Sequence, residues 1–368
     1  MGGYRRGRPL TTSSGFWSSD AQEEGTFLAE ERFHIAEWYG HDFHRMGDWD
    51  RVRHAQHKVG GATMSKAEID RLATLEDKAV SGELSPSEGD RLTVLRDKLV
   101  RQQAEELPCP FRTDTPHATC TKPGGVCSIR VYREDEGRVE PISGERGRLR
   151  ALCPWRFHQD GTAFSEVGRR LLNDPDPIKA GEVGFLESSG NLDSDPGEDV
   201  GRIDMILVKS NGVEGAPMDW VAVEVQAVYF SGKKMSIEFD HLLKTQGRIS
   251  MAREKRRPDY RSSGVKRLMP QLQTKVPTLR RWGKKMAVIV DAPFFYSMGE
   301  MARERDVSNA DIIWFLVDFF EDPNGSGFKL EIIEEVYTTL ESATLGLTGG
   351  TPLSQGEFEA RIRAKTDG

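Results

Sequence analysis

Three side chains have the types and the spacing to do chemistry together. Asp204 is the one acid in the apolar run Gly201-Arg-Ile-Asp204-Met-Ile-Leu-Val, and twenty residues later Trp220-Val-Ala-Val-Glu224-Val-Gln226 carries an acid and an amide. Burying a carboxylate on so apolar a strand is costly unless something compensates. Positions 224 and 226 leave the same face of a strand, and the intervening loop contains Asn211-Gly212, a hairpin-type turn signal. Asp204 and Glu224 can then converge on one divalent cation. Mg2+ suits such a pair, since it prefers hard oxygen ligands and retains several waters. A cation held there polarises a phosphate, lowers the pKa of a bound water and orients its attack. The pattern therefore points to phosphodiester hydrolysis, with a solvent-facing hairpin as the bland alternative.

A second constellation is made of sulfur. Cys109, Cys120, Cys127 and Cys153 are the only cysteines, and they are separated by 10, 6 and 25 residues. Cys109 and Cys153 each precede a proline, and Gly124-Gly125 allows a tight turn before Cys127. No apolar run approaches the ~20 residues needed to cross a bilayer, and residues 1–19 lack the apolar core of a signal peptide. A cytoplasmic location with no membrane partner is the expectation, and thiols there stay reduced. Four clustered thiolates suit a tetrahedral, structural Zn or Fe site with no position left open for catalysis. Buried thiols or two disulfides are the alternatives.

The net charge of −7 hides an asymmetry. From His241 to Lys285 there are fourteen Lys or Arg against two acids, a balance of +12, so the remainder carries −19. A basic block in an acidic chain is what a polyanion-binding face requires. Arg253, Lys255, Arg256, Arg257 and Arg261 are the candidates for phosphate contacts, each weighed against a simple solvated charge.

Several elements must position these groups. Residues 1–26 have the composition of a disordered segment. Residues 27–43 read as a short amphipathic helix ending near Gly40, within an N-terminal segment 27–63. Residues 64–106 hold a twenty-residue repeat in which Ser65/Glu68 and Ser85/Glu88 form capping boxes. Pro86 suits a first helical position. Leu72, Leu75, Ala79, Leu92, Leu95 and Leu99 fall at helical spacing, so a helical hairpin is predicted, most simply a structural insertion. Residues 181–230 look strand-rich, and 235–284 helical and basic. Lys285–Val290 and Ile312–Phe320 suit buried strands, and 337–346 and 354–365 suit helices. Alternating strands and helices imply an α/β sheet core.

Cys109-Pro-Phe, the Cys120/Cys127 pair, Leu152-Cys153-Pro and Val223-Glu-Val-Gln226 resemble, in order and local wording, the NotI family of restriction endonucleases. Ile35-Ala-Glu-Trp-Tyr-Gly-His41, Trp314-Phe-Leu-Val, Leu330-Glu-Ile and Glu359-Ala-Arg361 add to the likeness, which spans residues 27–363 in patches with the repeat as an extra. The resemblance implies a PD-(D/E)xK nuclease core in which Gln226 stands where other such nucleases carry Lys. It implies catalysis by Asp204, Glu224 and Gln226, with Glu187 of Gly184-Phe-Leu-Glu-Ser-Ser-Gly as an additional acid. It also implies Mg2+, iron on the four cysteines, and a homodimer cutting GC-rich palindromes in double-stranded DNA beside a cognate DNA methyltransferase.

The predicted architecture is an α/β, restriction-endonuclease-like mixed sheet flanked by helices at 157–368. A four-cysteine metal-binding module at 107–156 and the hairpin insertion precede it. A repair or mobile-element nuclease with the same core, and a non-catalytic DNA-binding protein reading through the cysteine module, are the rival readings.

Overall fold

A computed structural model describes residues 30–60, 65–105, 107–115, 118–122, 124–190, 197–210, 217–349 and 353–366. The segment 1–26 and the Asn211-Gly212 turn lie outside these residues.

The first sheet contains β1 (Glu31–Trp38), β2 (His41–Asp42), β3 (Val126–Asp135), β4 (Arg138–Pro141) and β5 (Arg150–Ala151), in the order β2-β1-β3-β4 with β5 on β3. The helix predicted over 27–43 is thus a strand at Glu31–Trp38. Its Phe33, Ile35 and Trp38 pack with Val126, Ile129 and Tyr132, and its ladder partner is β3, from Glu31↔Arg133 to Trp38↔Val126. Pairing with a distant strand overrides the local helical pattern. Tyr39 and Gly40 then reverse the chain with positive φ.

Helix α1 (Asp48–Gly60) leads to the hairpin of α2 (Lys66–Ser81) and α3 (Pro86–Glu105). Both capping boxes form, Ser65 with Glu68 and Ser85 with Glu88. Leu72, Leu75, Leu92 and Leu95 make the hairpin's own small core.

The second sheet has six strands, β6 (Ile178–Ala180), β9 (Met205–Val208), β10 (Trp220–Gln226), β13 (Met286–Asp291), β14 (Ile312–Glu321) and β15 (Phe328–Thr338), ordered β15-β14-β13-β10-β9-β6. β10, β13 and β14 run parallel, whereas β9, β6 and β15 join antiparallel. The fold is therefore mixed α/β, with helices on both faces of the sheet. On one face α4 (Thr162–Leu172) sets Phe164 and Val167 against Val221, Val223 and Ile289. On the other, α7 (Met269–Arg281), α8 (Ala292–Tyr296) and α9 (Leu340–Thr348) cover Ala222, Val288 and Trp314. Helices α5 (Ser236–Lys244) and α6 (Tyr260–Ser263) lie between β10 and α7, and a final helix, α10, spans Gln355–Thr366.

The two sheets are joined by a dry ion pair. Arg156 and Glu37 are both fully buried, and Arg156 Nε donates to Glu37 Oε2 at 2.8 Å. Arg156 also donates to the Phe328 carbonyl at 2.9 Å and lies over the rings of Phe111 and Phe319.

Candidate active site

Register brings the two carboxylates together. β10 pairs with β9 through Ala222↔Ile206 and Val223↔Met205, so Glu224 faces Asp204 at the next step, where opposed Cβ atoms lie about 5 Å apart. Asp204 sits at the break between β8 (Asp199–Ile203) and β9. Its side chain is about half exposed, whereas that of Glu224 is 4% exposed. Burial pushes the Glu224 carboxyl up to about 7; a nearby ammonium opposes the shift and Asp204 adds to it.

That ammonium belongs to Lys275. Its Nζ donates to Glu224 Oε2 at 2.6 Å and to Asp204 Oδ1 at 3.2 Å. Lys275 comes from α7, whose Leu272, Val276 and Leu279 form the stripe buried against the sheet. It is 1% exposed, the only lysine of the buried set among the described residues. In the sequence it lies within the basic block 241–285 with nothing to distinguish its charge from the others. The available signal was its place on an otherwise apolar helical face.

Gln226 lies two residues beyond Glu224 on the same face, half-buried, with its side-chain amide donating to the Ala227 carbonyl at 2.6 Å. Glu187 is not brought to this centre. It lies on β7 (Val183–Glu187), exposed and opposite Asp199, while Val183 at the other end faces Ile203. At about 3.3 Å per residue the hairpin separates Glu187 from Asp204 by roughly 15 Å.

Two carboxylates and one ammonium leave a net negative site with an exposed mouth at Asp204. Hard oxygen donors with spare negative charge fit a hard divalent cation such as Mg2+.

The basic segment folds back to the same end of β10. Tyr229, three residues past Gln226, accepts from Asp259 N at 2.6 Å through its carbonyl and donates from its own N to Ser263 Oγ at 2.8 Å. Strand β11 (Phe230–Ser231) pairs with β12 (Arg257–Pro258). Arg253, Lys255, Arg257 and Arg261 are exposed here. Arg256 is not. It is buried, ion-paired to Glu238 and bonded to the Lys234 carbonyl, so its guanidinium is committed within the fold and is withdrawn from the phosphate candidates. Arg267, also missed in the sequence, stacks 3.7 Å over the half-exposed Tyr229 ring.

The four cysteines gather at one locus. The Cys109 and Cys120 backbones bond across a Pro108↔Thr119 bridge, through Cys109 N to Ala118 O and Cys120 N to Leu107 O. Leu152, beside Cys153, donates to Cys127 O at 2.8 Å. None of the four is in a disulfide. Burial pushes the Cys127 thiol well above its ordinary value, and the Cys153 thiol upward. Cys127 Sγ lies 3.4 Å from the Gly125 carbonyl. The predicted tetrahedral site is not assembled: among the described residues no group of three or more His, Cys, Asp or Glu is placed to hold a metal ion. Cys120 Sγ likewise lies 3.7 Å from the Lys122 carbonyl, and no step below is routed through a structural metal.

No helix among the described residues is long and apolar enough to cross a membrane. A sequence model of the family described as Restriction endonuclease NotI matches residues 93–330, a span that includes Asp204, Glu224, Lys275 and all four cysteines. No curated protein matches the chain.

Proposed function

The chain belongs to the NotI restriction endonuclease family, and on that premise we propose that it is a Mg2+-dependent type II restriction endonuclease that cuts duplex DNA through Asp204, Glu224 and Gln226. The observation that carries this reading is the cross-strand convergence of Asp204 and Glu224 at the end of the β9–β10 ladder, toward which the exposed basic segment returns. The reaction is hydrolysis of a PD-(D/E)xK type. A water oxygen bonds to phosphorus, the bond from phosphorus to the 3′ oxygen breaks, and a 5′ phosphate and a 3′ hydroxyl result.

When bound, Mg2+ supplies Lewis acidity and an acidified water. Asp204 and Glu224 would hold it. Gln226 orients the nucleophilic water by hydrogen bonding, having no charge to offer. Arg253, Lys255, Arg257 and Arg261 would contact phosphates and set the register of the duplex. Glu187, on its separate hairpin, has no part in this arrangement as folded.

The same family reading proposes a homodimer acting on a GC-rich palindrome, a companion methyltransferase, and one Fe or Zn on Cys109, Cys120, Cys127 and Cys153. The gathering of the cysteines at one locus supports the last of these.

Asp204→Ala and Glu224→Ala should each abolish Mg2+-dependent cleavage of plasmid DNA while leaving duplex binding intact, because both remove metal ligands and neither touches the exposed basic segment. Wild-type cutting by either variant would sink the assignment.

A further inference from the structure

The site contains a cation that the strand pattern does not supply. In the Asp and Glu-x-Lys arrangement a lysine two residues after the glutamate brings a fixed ammonium to the reacting centre. Here that position is Gln226, which is neutral and bonded to its own chain. Yet an ammonium is present, delivered by a helix on the same face of the sheet. Lys275 Nζ sits 2.6 Å from Glu224 and 3.2 Å from Asp204. Leu272, Val276 and Leu279, on either side of it along the helix, are all buried.

Packing alone does not explain this lysine. The face it occupies is apolar, and a lysine stripped of water there costs more than a Met of similar length unless its charge is used. Nor does it simply neutralise the site, since two carboxylates remain for one ammonium.

We infer that Lys275 is the charge-supplying residue of the active site, taking from the helix the role that position 226 lacks on the strand. Resting on the nuclease reading, its part is to hold a fixed positive charge beside the carboxylate pair, where hydroxide and the pentacoordinate phosphate build up negative charge. Such preorganised charge acts in a water-poor pocket, where it is worth far more than in bulk solvent. Gln226 is then free to be an amide.

The test uses the full chain with three variants, Lys275→Met, Lys275→Arg and the relocation double Lys275→Met/Gln226→Lys. Plasmid cleavage with Mg2+ is read beside Mn2+ binding without DNA at mildly alkaline pH. Lys275→Met should lose cleavage on the order of a hundredfold, as removal of one transition-state donor does. It should bind Mn2+ no more weakly than wild type, because a like charge has left the neighbourhood of the cation. Lys275→Arg should retain most activity, and the double variant should recover much of what Lys275→Met lost. A merely structural prop predicts the reverse on metal, with Mn2+ binding weakened alongside cleavage and no recovery on relocation. That result, or wild-type cleavage by folded Lys275→Met, overturns the inference. Should Lys275→Met fail to fold, the double variant decides, since its lysine is restored two residues from Glu224. Should wild type bind Mn2+ but cut no DNA, the nuclease reading fails by itself. The Mn2+ comparison then judges Lys275, unweakened binding supporting the fixed charge and weakened binding overturning it.

Discussion

Lys275 and Arg256 come from one basic stretch, and the fold buries both against glutamates. Their counterpart among neutral bases is His34, which is 4% exposed between Phe43 and Tyr132. Its Nδ1 accepts the Ile35 N–H at 2.8 Å. Burial holds its imidazole down at about 4, against an ordinary 6.5, with Glu238 opposing and Arg256, His241 and Arg51 reinforcing. A base with a depressed folded pKa binds fewer protons folded than unfolded between those two values. Stability from this site is therefore present above 6.5 and lost as pH falls toward 4, by at most about 3 kcal/mol. Over that window the unfolding free energy of wild type, followed by denaturant titration, should fall relative to that of His34→Gln, while the raised Glu224 and Asp291 carboxyls act on both proteins alike and in the opposite sense. His34→Gln keeps an acceptor for Ile35 and has no proton to gain, so its decline should be shallower whatever its absolute stability. Equal slopes would show that His34 does not carry the acid sensitivity.

At the scale of elements, legibility followed the range of the determining contacts. The α2–α3 hairpin was readable because its caps and its leucine stripe are encoded within a few residues, and β13 and β14 because every residue from Met286 to Val290 and from Ile312 to Phe319 is buried. β1 was misread because its partner β3 lies about a hundred residues away, beyond the reach of any local periodicity. The pairing of Asp204 with Glu224 was visible as a hairpin, whereas Lys275 reaches them across 51 residues from Glu224, and nothing at position 275 names its partner. The cysteine segment is the element where spacing and geometry part. The thiols share a locus without a ligand set, and ligation would require loss of thiol protons, which a bound cation would drive. Elemental analysis of purified chain should find about one Fe or Zn per chain, following the four-ligand rule. Cys120→Ser should then lower stability more than it alters cleavage. A folded, metal-free protein with four titratable thiols would end the proposal.

Over the whole molecule, charge is segregated. The block from 241 to 285 carries +12 in a chain of −7, and the β11–β12 pairing and the Tyr229 contacts return its exposed part to the end of β10 that carries Glu224 and Gln226. On the proposed reading, the net negative charge of the remainder favours approach of DNA at this basic segment. Contacts there should release condensed counterions, and log affinity should fall with log salt by about 0.9 for each phosphate neutralised. Arg257 and Arg261 are exposed and flank the return of the chain to Tyr229, whereas Arg256 between them and Arg253 points into the fold. Neutralising Arg257 and Arg261 together, in an Asp204→Ala background that cannot cut, should therefore flatten the salt slope by about two contacts' worth. Binding to cognate and random duplexes should weaken equally, because backbone contacts carry no base information. Arg256→Ala should behave differently. It leaves Glu238 buried without its partner, a loss on the order of 3–5 kcal/mol, so it should destabilise the fold and leave the salt slope of the surviving folded protein unchanged. An unaltered slope in the Arg257/Arg261 double variant would place the duplex elsewhere on the molecule. Lost discrimination at constant slope would instead make these arginines readers of base edges in the major groove.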